Sequence, residues 1–360
     1  MSWVHLRGPV LVGADDVRAE AWVVGGRITF TRPTDDDRAG TIDGWVLPGL
    51  VDAHCHIGLD RHGAVDEPTT EAQALADRDA GALLLRDAGS PSDTRWIDER
   101  ADLPRLIRAG RHIARTRRYL RGFGWEVEPD ELVERVRLEA RAGDGWVKLV
   151  GDWIDRQAGD LTPCWPRDVL AAAIAAAHEE GARVTAHCFG EASLYDFAAA
   201  GTDCIEHACG LEPETIEAFA AQGIAIVPTL VNIETFPRIA ESAREKFPDY
   251  SRHMLALHER RYATIGAARE AGIPVYVGTD AGGSLPHGLV GAEVGHLVRA
   301  GFTSAEALHA ACWGARAWLG RPGLEEGAHA DLVVYDADPR EDVGVLAHPR
   351  AILLRGAVVG

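Results

Sequence analysis

Pro48-Gly49-Leu50-Val51-Asp52-Ala53-His54-Cys55-His56 is the stretch from which the rest of the chain can be read. Residues 47–53 read as a buried strand entered through a Pro-Gly turn. Residues two apart in a strand share a face, so His54 and His56 point one way and Cys55 the other. Two imidazoles on one face at a strand's end supply half of a divalent metal site. The plainer alternative is one surface histidine and one core histidine.

Composition sets bounds on what surrounds that stretch. The chain has 360 residues, 46% hydrophobic and 26% charged, with a formal charge of −18. That length suits one large domain and a small one. The acidic balance argues against a nucleic-acid surface and against anionic membranes. No run approaches the length of a transmembrane helix. Residues 1–13 lack a basic segment followed by an apolar one, so a cytoplasmic location is expected. Six cysteines (55, 164, 188, 204, 209 and 312) are dispersed without a C-x-x-C pair, which reads as reduced, buried thiols.

Upstream, 1–47 is β-like, with short runs at 6–12, 19–24 and 27–30, a Gly25-Gly26 hairpin turn and a polar loop at 31–40. Downstream, strand, loop and helix repeat. Apolar runs fall at 45–53, 82–87, 106–114, 146–150, 183–187, 204–207, 224–230 and 274–279. Helical stretches fall at 132–142, 169–180, 192–200, 213–221 and 254–271. This alternation predicts an α/β fold with a parallel sheet, and eight units predict a closed (β/α)8 TIM barrel. An open doubly wound sheet is the alternative, weakened by the lack of a Gly-x-Gly-x-x-Gly turn or a phosphate loop. Residues 327–360 are β-like again. The expected organisation is a discontinuous small β-sandwich domain of 1–47 plus 322–360, and a barrel at 48–321.

Barrel enzymes carry their chemistry at the C-terminal ends of the strands. There the predicted strands deliver His54 and His56 (first), Lys148 (fourth), His187 (fifth), His207 (sixth) and Asp280 (eighth). Four histidines and an aspartate suit Zn²⁺ or a similar borderline cation. Lys148 has two readings. It is either a barrel lysine paired with an acid, or an amine carbamylated by CO₂ and so turned into a two-oxygen anion able to bridge two metals.

Together, the Pro48–His56 stretch, Lys148, His187, His207 and Gly278-Thr279-Asp280 resemble the amidohydrolase superfamily. So do the tail Gly327-Ala328-His329-Ala330-Asp331-Leu332-Val333-Val334-Tyr335-Asp336 and residues 302–320. The lysine resembles the binuclear branch, with prolidase-like dipeptidases, N-acyl amino acid hydrolases and imidazolonepropionase-related hydrolases as the nearest types. The resemblance implies two divalent metal ions, zinc by preference. His54, His56 and Asp280 would hold one, His187 and His207 the other, with carbamylated Lys148 and a hydroxide as bridges. It implies hydrolysis of an amide or peptide-like C–N bond (a dipeptide, an N-acyl amino acid or a cyclic amide), with Asp280 as general base and acid. It also implies a small-molecule substrate, and relatives are often homo-oligomers.

Three rival functions stand beside this one. Single-metal deaminases of small heterocycles pair the fifth-strand histidine with a glutamate three residues on. Here that position is Gly190, and Glu191 is four residues on. The same centre could serve lactone, ester or phosphotriester hydrolysis, and a non-catalytic scaffold is the third rival. For substrate contacts, the loop after the third strand offers Arg115, Arg117, Arg118, Tyr119 and Arg121, a cationic cluster suited to a carboxylate. The alternative for it is a solvated loop. His287 offers either substrate contact or support of the ligands. Asp60, His62, Tyr250, His253 and His258 could line the mouth or simply sit on the surface. Trp125, Trp153 and Trp165 could wall a pocket.

Overall fold

The computed structural model describes residues 2–34 and 37–359, so part of the loop expected at 31–40 lies outside the described residues. The single run expected at 45–53 is two strands in two different sheets. Trp45–Pro48 pairs antiparallel with Leu332–Tyr335, and Leu50–Cys55 pairs parallel with Ala82–Asp87. Gly49 makes the join. A Cβ there would lie 2.5 Å from the Leu83 side chain, so glycine is the residue that fits. Its carbonyl accepts from Arg316 at 2.9 and 2.7 Å, and its N–H donates to the Asp331 carbonyl at 3.0 Å.

The outer sheet is built from both ends of the chain. Its eight strands include Trp3–Leu11, Val17–Val24, Arg27–Thr29 and Trp45–Pro48 from the first 48 residues, and Leu332–Tyr335, Ala351–Leu354 and Ala357–Val358 from the tail. Leu6, Val10, Val23, Val46, Leu332 and Leu353 form its buried side. The eighth strand, Arg38–Asp43, runs parallel to Trp3–Leu11 where a polar loop was expected at 38–40. None of its residues is buried, and so polar composition does not mark it.

The inner strands form two all-parallel ladders. One holds Leu50–Cys55, Ala82–Asp87 and Arg105–Arg108. The other holds Trp125–Val127, Ile113–Arg115, Trp146–Val150, Arg183–Cys188, Cys204–His207 and Ala225–Val227. Three expected runs depart from plain strands. The third, 106–114, is interrupted at 109–112, where Gly110 takes φ +70° against the Glu139 carboxylate. The seventh ends at Val227, because Thr229 turns left-handed (φ +47°) into the helix Leu230–Ile233. The eighth, 274–279, makes one isolated bridge, Val275 to Ile226, and just past it Ala281 bridges Cys55. Gly278 is pressed between Val227 and His54, and Asp280 has φ +58°. The chain nonetheless lies against the first strand: Ala53 donates to the Val277 carbonyl at 2.8 Å, and both Thr279 and Asp280 donate to that of His54.

Helices join these strands as the periodicity predicts, among them Leu132–Ala142, Arg167–Glu179, Glu191–Ala200, Pro213–Gln222 and Pro248–Glu270. A hairpin, Asp152–Asp155 with Asp160–Pro163, follows the Lys148 strand. The result is an α/β fold. Among the described residues, no helix is long and apolar enough to cross a membrane.

Alternation divides the inner strands into two faces. Leu83, Leu85, Val147, Leu149, Val184, Ala186, Ile205 and Ile226 belong to the large core that includes the helices. Val51, Ala53, Leu84, Trp146, Cys204 and Val227 form a second, enclosed cluster on the opposite face. Arg86, Lys148 and Glu206 have the parity of that enclosed face.

Candidate metal centre

The first strand reaches this centre by breaking its own alternation. Val51 and Ala53 belong to the enclosed cluster, yet Cys55 packs in the large core with Leu50. The pairing shows why: Asp52 faces Leu85 and Cys55 faces Asp87, three steps against two. This bulge flips the strand's faces and turns His54 and His56 inward. Asp52 secures the bend by accepting from the His54 N–H at 3.1 Å and the Thr279 N–H at 3.0 Å, and from the Thr279 hydroxyl at 2.6 Å.

Three electron-rich atoms then converge. His54 Nε2 lies 3.2 Å from His56 Nε2 and 3.1 Å from Asp280 Oδ1, and His56 Nε2 lies 2.9 Å from the same oxygen. The other nitrogens are committed: His54 Nδ1 donates to Glu206 at 2.7 Å and His56 Nδ1 to the Gly89 carbonyl at 2.8 Å. Each Nε2 therefore presents a lone pair in the neutral ring, which is how a histidine is prepared for a metal. Alongside, His207 Nε2 lies 2.9 Å from His187 Nδ1, and His207 Nδ1 bonds Thr229 Oγ1 at 2.7 Å. One ligand atom each from His54, His207 and Asp280 falls within 4.8 Å of the others, so the two groups adjoin. Burial pushes the pKa of His56 down, that of His187 well down and that of His207 to about 3, which favours the neutral, ligating form.

Lys148 is buried beside them, and its Nζ has no hydrogen-bond partner among the described residues. Burial lowers its pKa against the opposing pull of Glu206 and Asp280. An uncompensated buried ammonium is costly. The site thus fits a divalent pair on two counts: facing lone pairs that a cation would reconcile, and a lysine nitrogen left without a partner.

Several residues here are absent from the sequence-based set. Glu206 Oε1 accepts from Arg86 Nη2 at 2.7 Å and from the Thr185 hydroxyl, while Oε2 holds His54. Asn232 donates to Asp280 Oδ2 at 2.7 Å. Glu293 accepts the N–H groups of Leu230 and Val231, both at 2.8 Å, and so anchors the turn that carries Asn232. His112 is fully buried at the interruption of the third strand. Its ring lies 4.9 Å from that of His56, and neither nitrogen has a partner among the described residues. A charge within an apolar strand (Arg86) and a glutamate beside a ligand-type histidine (Glu206) were the available signals.

The expected substrate contacts are divided. Tyr119 roofs the centre, its ring 5.8 Å from His187, 5.4 Å from His112 and 4.7 Å from Trp153. Arg117 and Tyr119 line a cavity of about 710 Å³ together with Leu120, Arg121, Glu126 and Arg156. Arg118 is directed elsewhere. It braces the hairpin through Asp155 at 3.1 Å, the Trp153 carbonyl at 2.8 Å and Thr162, so its charge is already committed. Arg115 bonds the Cys164 carbonyl. His287 donates to Asp77 at 2.8 Å and shares a cavity of about 320 Å³ with Asp60. His253 ties Asp160 to Glu191, and Tyr250 is buried on the same helix. His258 faces Glu234, and His62 is exposed. Trp125 lies on the surface against Arg111 and Arg135, and Trp165 is buried with its indole N–H on the Val150 carbonyl. Neither of these two walls the centre, whereas Trp153 does.

Known proteins resemble the chain in sequence and in shape. An uncharacterized protein of Mycobacterium tuberculosis is 54% identical over 358 residues, covering 99% of this chain and 96% of its own length. Ochratoxinase of Aspergillus niger is 27% identical over 231 residues, 62% of this chain and 47% of its own length. Its crystal structure matches with a TM-score of 0.79 at 20% identity, covering 99% of this chain and 95% of that one. A Xaa-Pro dipeptidase with bound methionine matches with a TM-score of 0.81 at 22% identity, covering 99% of each chain. The profile of the Amidohydrolase family matches residues 132–358, more than half of the chain. The chain therefore belongs to the amidohydrolase family, whose members generally use divalent metals, and is a hydrolase of carbon–nitrogen bonds with the fold of prolidase-like structures.

Proposed function

We propose that the chain cleaves the amide or peptide-like bond of a small molecule with two zinc ions. In this reading His54, His56 and Asp280 hold one ion, His187 and His207 the other, and Lys148 bridges them as its carbamate. Cations held there would polarise the scissile carbonyl and make hydroxide available from water near neutral pH. Asp280 takes the proton of the attacking water and passes it to the leaving nitrogen as the C–N bond breaks, giving a carboxylate and an amine. Asn232, on the opposite carboxylate oxygen, holds Asp280 in one orientation for both transfers. His112 and Tyr119 lie where they can touch the substrate beside the metals. The same reading treats 48–321 as a closed (β/α)8 barrel and 1–47 with 322–360 as a discontinuous β-sandwich domain. The bridges of Val275 and Ala281 to the seventh and first strands support closure.

The observation that carries the proposal is the convergence of His54 Nε2, His56 Nε2 and Asp280 Oδ1 within 3.2 Å of one another, beside a buried lysine amine without a partner. Purified protein loaded with zinc in ¹³C-bicarbonate is expected to hold about two metals per chain and to show a carbamate carbon resonance that Lys148→Ala abolishes. It is expected to cleave members of a panel of dipeptides, N-acyl amino acids and cyclic amides. Asp280→Asn should keep most of its metal and lose roughly 10²–10⁴-fold in kcat, the scale of general acid–base catalysis. One metal per chain with ammonia release from an aminopurine would replace this reading with deamination. Near-normal kcat in Asp280→Asn would remove the proton-transfer role.

A further inference from the structure

We infer that the cavity outside Tyr119 selects substrates carrying two carboxylates at one end, such as an amide of an acidic amino acid. This deepens the proposed amide hydrolysis and rests on it. The cavity, of about 710 Å³, lies between the loop after the third strand, which brings Arg117, Tyr119, Leu120 and Arg121, and the hairpin after the fourth, which brings Arg156. Tyr119 is part of its lining, and the same ring lies 5.4 Å from that of His112 and 5.8 Å from that of His187. A substrate with its carbonyl at the metal centre would extend past Tyr119 into the cavity.

The charge of the cavity identifies the group it takes. Among the described residues, the side chains of Arg117, Arg121 and Arg156 make no hydrogen bond or ion pair, and Glu126 is the one acid on the lining. Three guanidinium groups against one carboxylate leave two positive charges. Their neighbours are differently placed: Arg118 is bound to Asp155 and the hairpin, Arg111 to the carbonyls of Gly122 and Phe123, and Arg115 to that of Cys164. Uncommitted arginines on a chain of net charge −18 form a local sink for anions, and the planar fork of guanidinium matches a carboxylate. Arg117 also has a left-handed backbone (φ +61°), uncommon for a residue with a Cβ and concentrated at functional sites. Leu120, 45% exposed, and Tyr119 supply the apolar floor for the carbon chain between the two anions.

The test separates this inference from catalysis by using metal-free protein as well. Isothermal calorimetry with N-acetyl-L-glutamate and its uncharged-side-chain counterpart N-acetyl-L-glutamine should show the glutamate binding at least about tenfold more tightly, the scale of one charge-assisted hydrogen bond. Arg117→Gln and Arg156→Gln should each erase most of that ratio, and Arg350→Gln, whose side chain pairs with Asp336 beside the outer sheet, should preserve it. Zinc-loaded enzyme should show the same preference, carried by KM. Equal or undetectable binding of the two ligands, or a ratio untouched by both cavity variants, overturns the inference whether or not amides are cleaved. A retained binding ratio with no cleavage of any amide overturns the catalytic reading alone.

Discussion

Glu206 shows how one side chain orders the rest of the site. It is fully buried, with Arg86 on one oxygen and His54 on the other. Burial alone would raise its pKa, but the Arg86 guanidinium and the His54 ring outweigh burial and hold the carboxyl well below its ordinary range. Arg86 in turn lies over the Trp146 ring at 4.5 Å and donates to the Ala53 carbonyl within the bulge. Glu206→Gln would leave Arg86 buried without its counter-charge and deprive His54 of an anionic acceptor. Removing one partner of a buried pair costs about 3–5 kcal/mol. The expected outcome is a loss of unfolding free energy of that size, read as a lower urea midpoint, with a reduced zinc content per chain. An unchanged midpoint would mean that the pair does not organise the strand ends. The chain writes Arg86 into Ala82-Leu83-Leu84-Leu85-Arg86-Asp87, where only its polarity sets it apart. That it meets a carboxylate 120 positions later depends on parity and strand order, which local sequence does not state.

Among the elements, those legible in advance were the ones whose local pattern and tertiary role agree. Trp146–Val150 and Cys204–His207 are short, wholly buried parallel strands, found where expected although Lys148, Glu206 and His207 interrupt their apolar character. The third, seventh and eighth runs were equally apolar but are bent by left-handed residues and close backbone approach, which apolarity does not encode. The hairpin Asp152–Pro163 was not anticipated, and its pairing sends Arg118 inward and brings Arg156 to the cavity. His253 holds this hairpin to the helix Pro248–Glu270 and to Glu191. Its hydrogen bond to Glu191, opposed by burial and aided by Asp160, raises its pKa from 6.5 to about 9. A raised histidine gives its full stabilisation below the unfolded value and loses it as pH rises through the folded one. The stability difference between the native chain and His253→Gln should therefore be full at pH 6, shrink across 6.5–9 and nearly vanish above that. Urea titrations at pH 6, 7.5 and 9.5 check this, and a difference independent of pH would show that the ring acts by packing alone.

At the scale of the whole molecule, the proposed ligands are spread from residue 54 to residue 280, so the pair of cations, bridged through Lys148, would tie the two parallel ladders to one another. His54 lies in the first strand and His56 directly after it, His187 and His207 lie in the fifth and sixth, and Asp280 comes from the chain lying against the first. The unfolded chain cannot hold these groups in one place, so metal affinity adds directly to folding stability. A site with free metal at a thousand times its dissociation constant adds about 4 kcal/mol. Without cations Lys148 remains buried without a partner, which weighs against the fold. Stripping the metal with a chelator, with removal verified by elemental analysis, is thus expected to lower Tm by roughly 5 °C or more. Zinc alone should restore part of that loss, and zinc with bicarbonate the remainder, because only bicarbonate can convert Lys148 into the bridge. In Lys148→Ala, bicarbonate should add nothing to the recovery. A verified metal-free protein melting at the temperature of the zinc-loaded one would mean that these side chains do not hold metal in the folded chain, and the two-metal reading would be withdrawn.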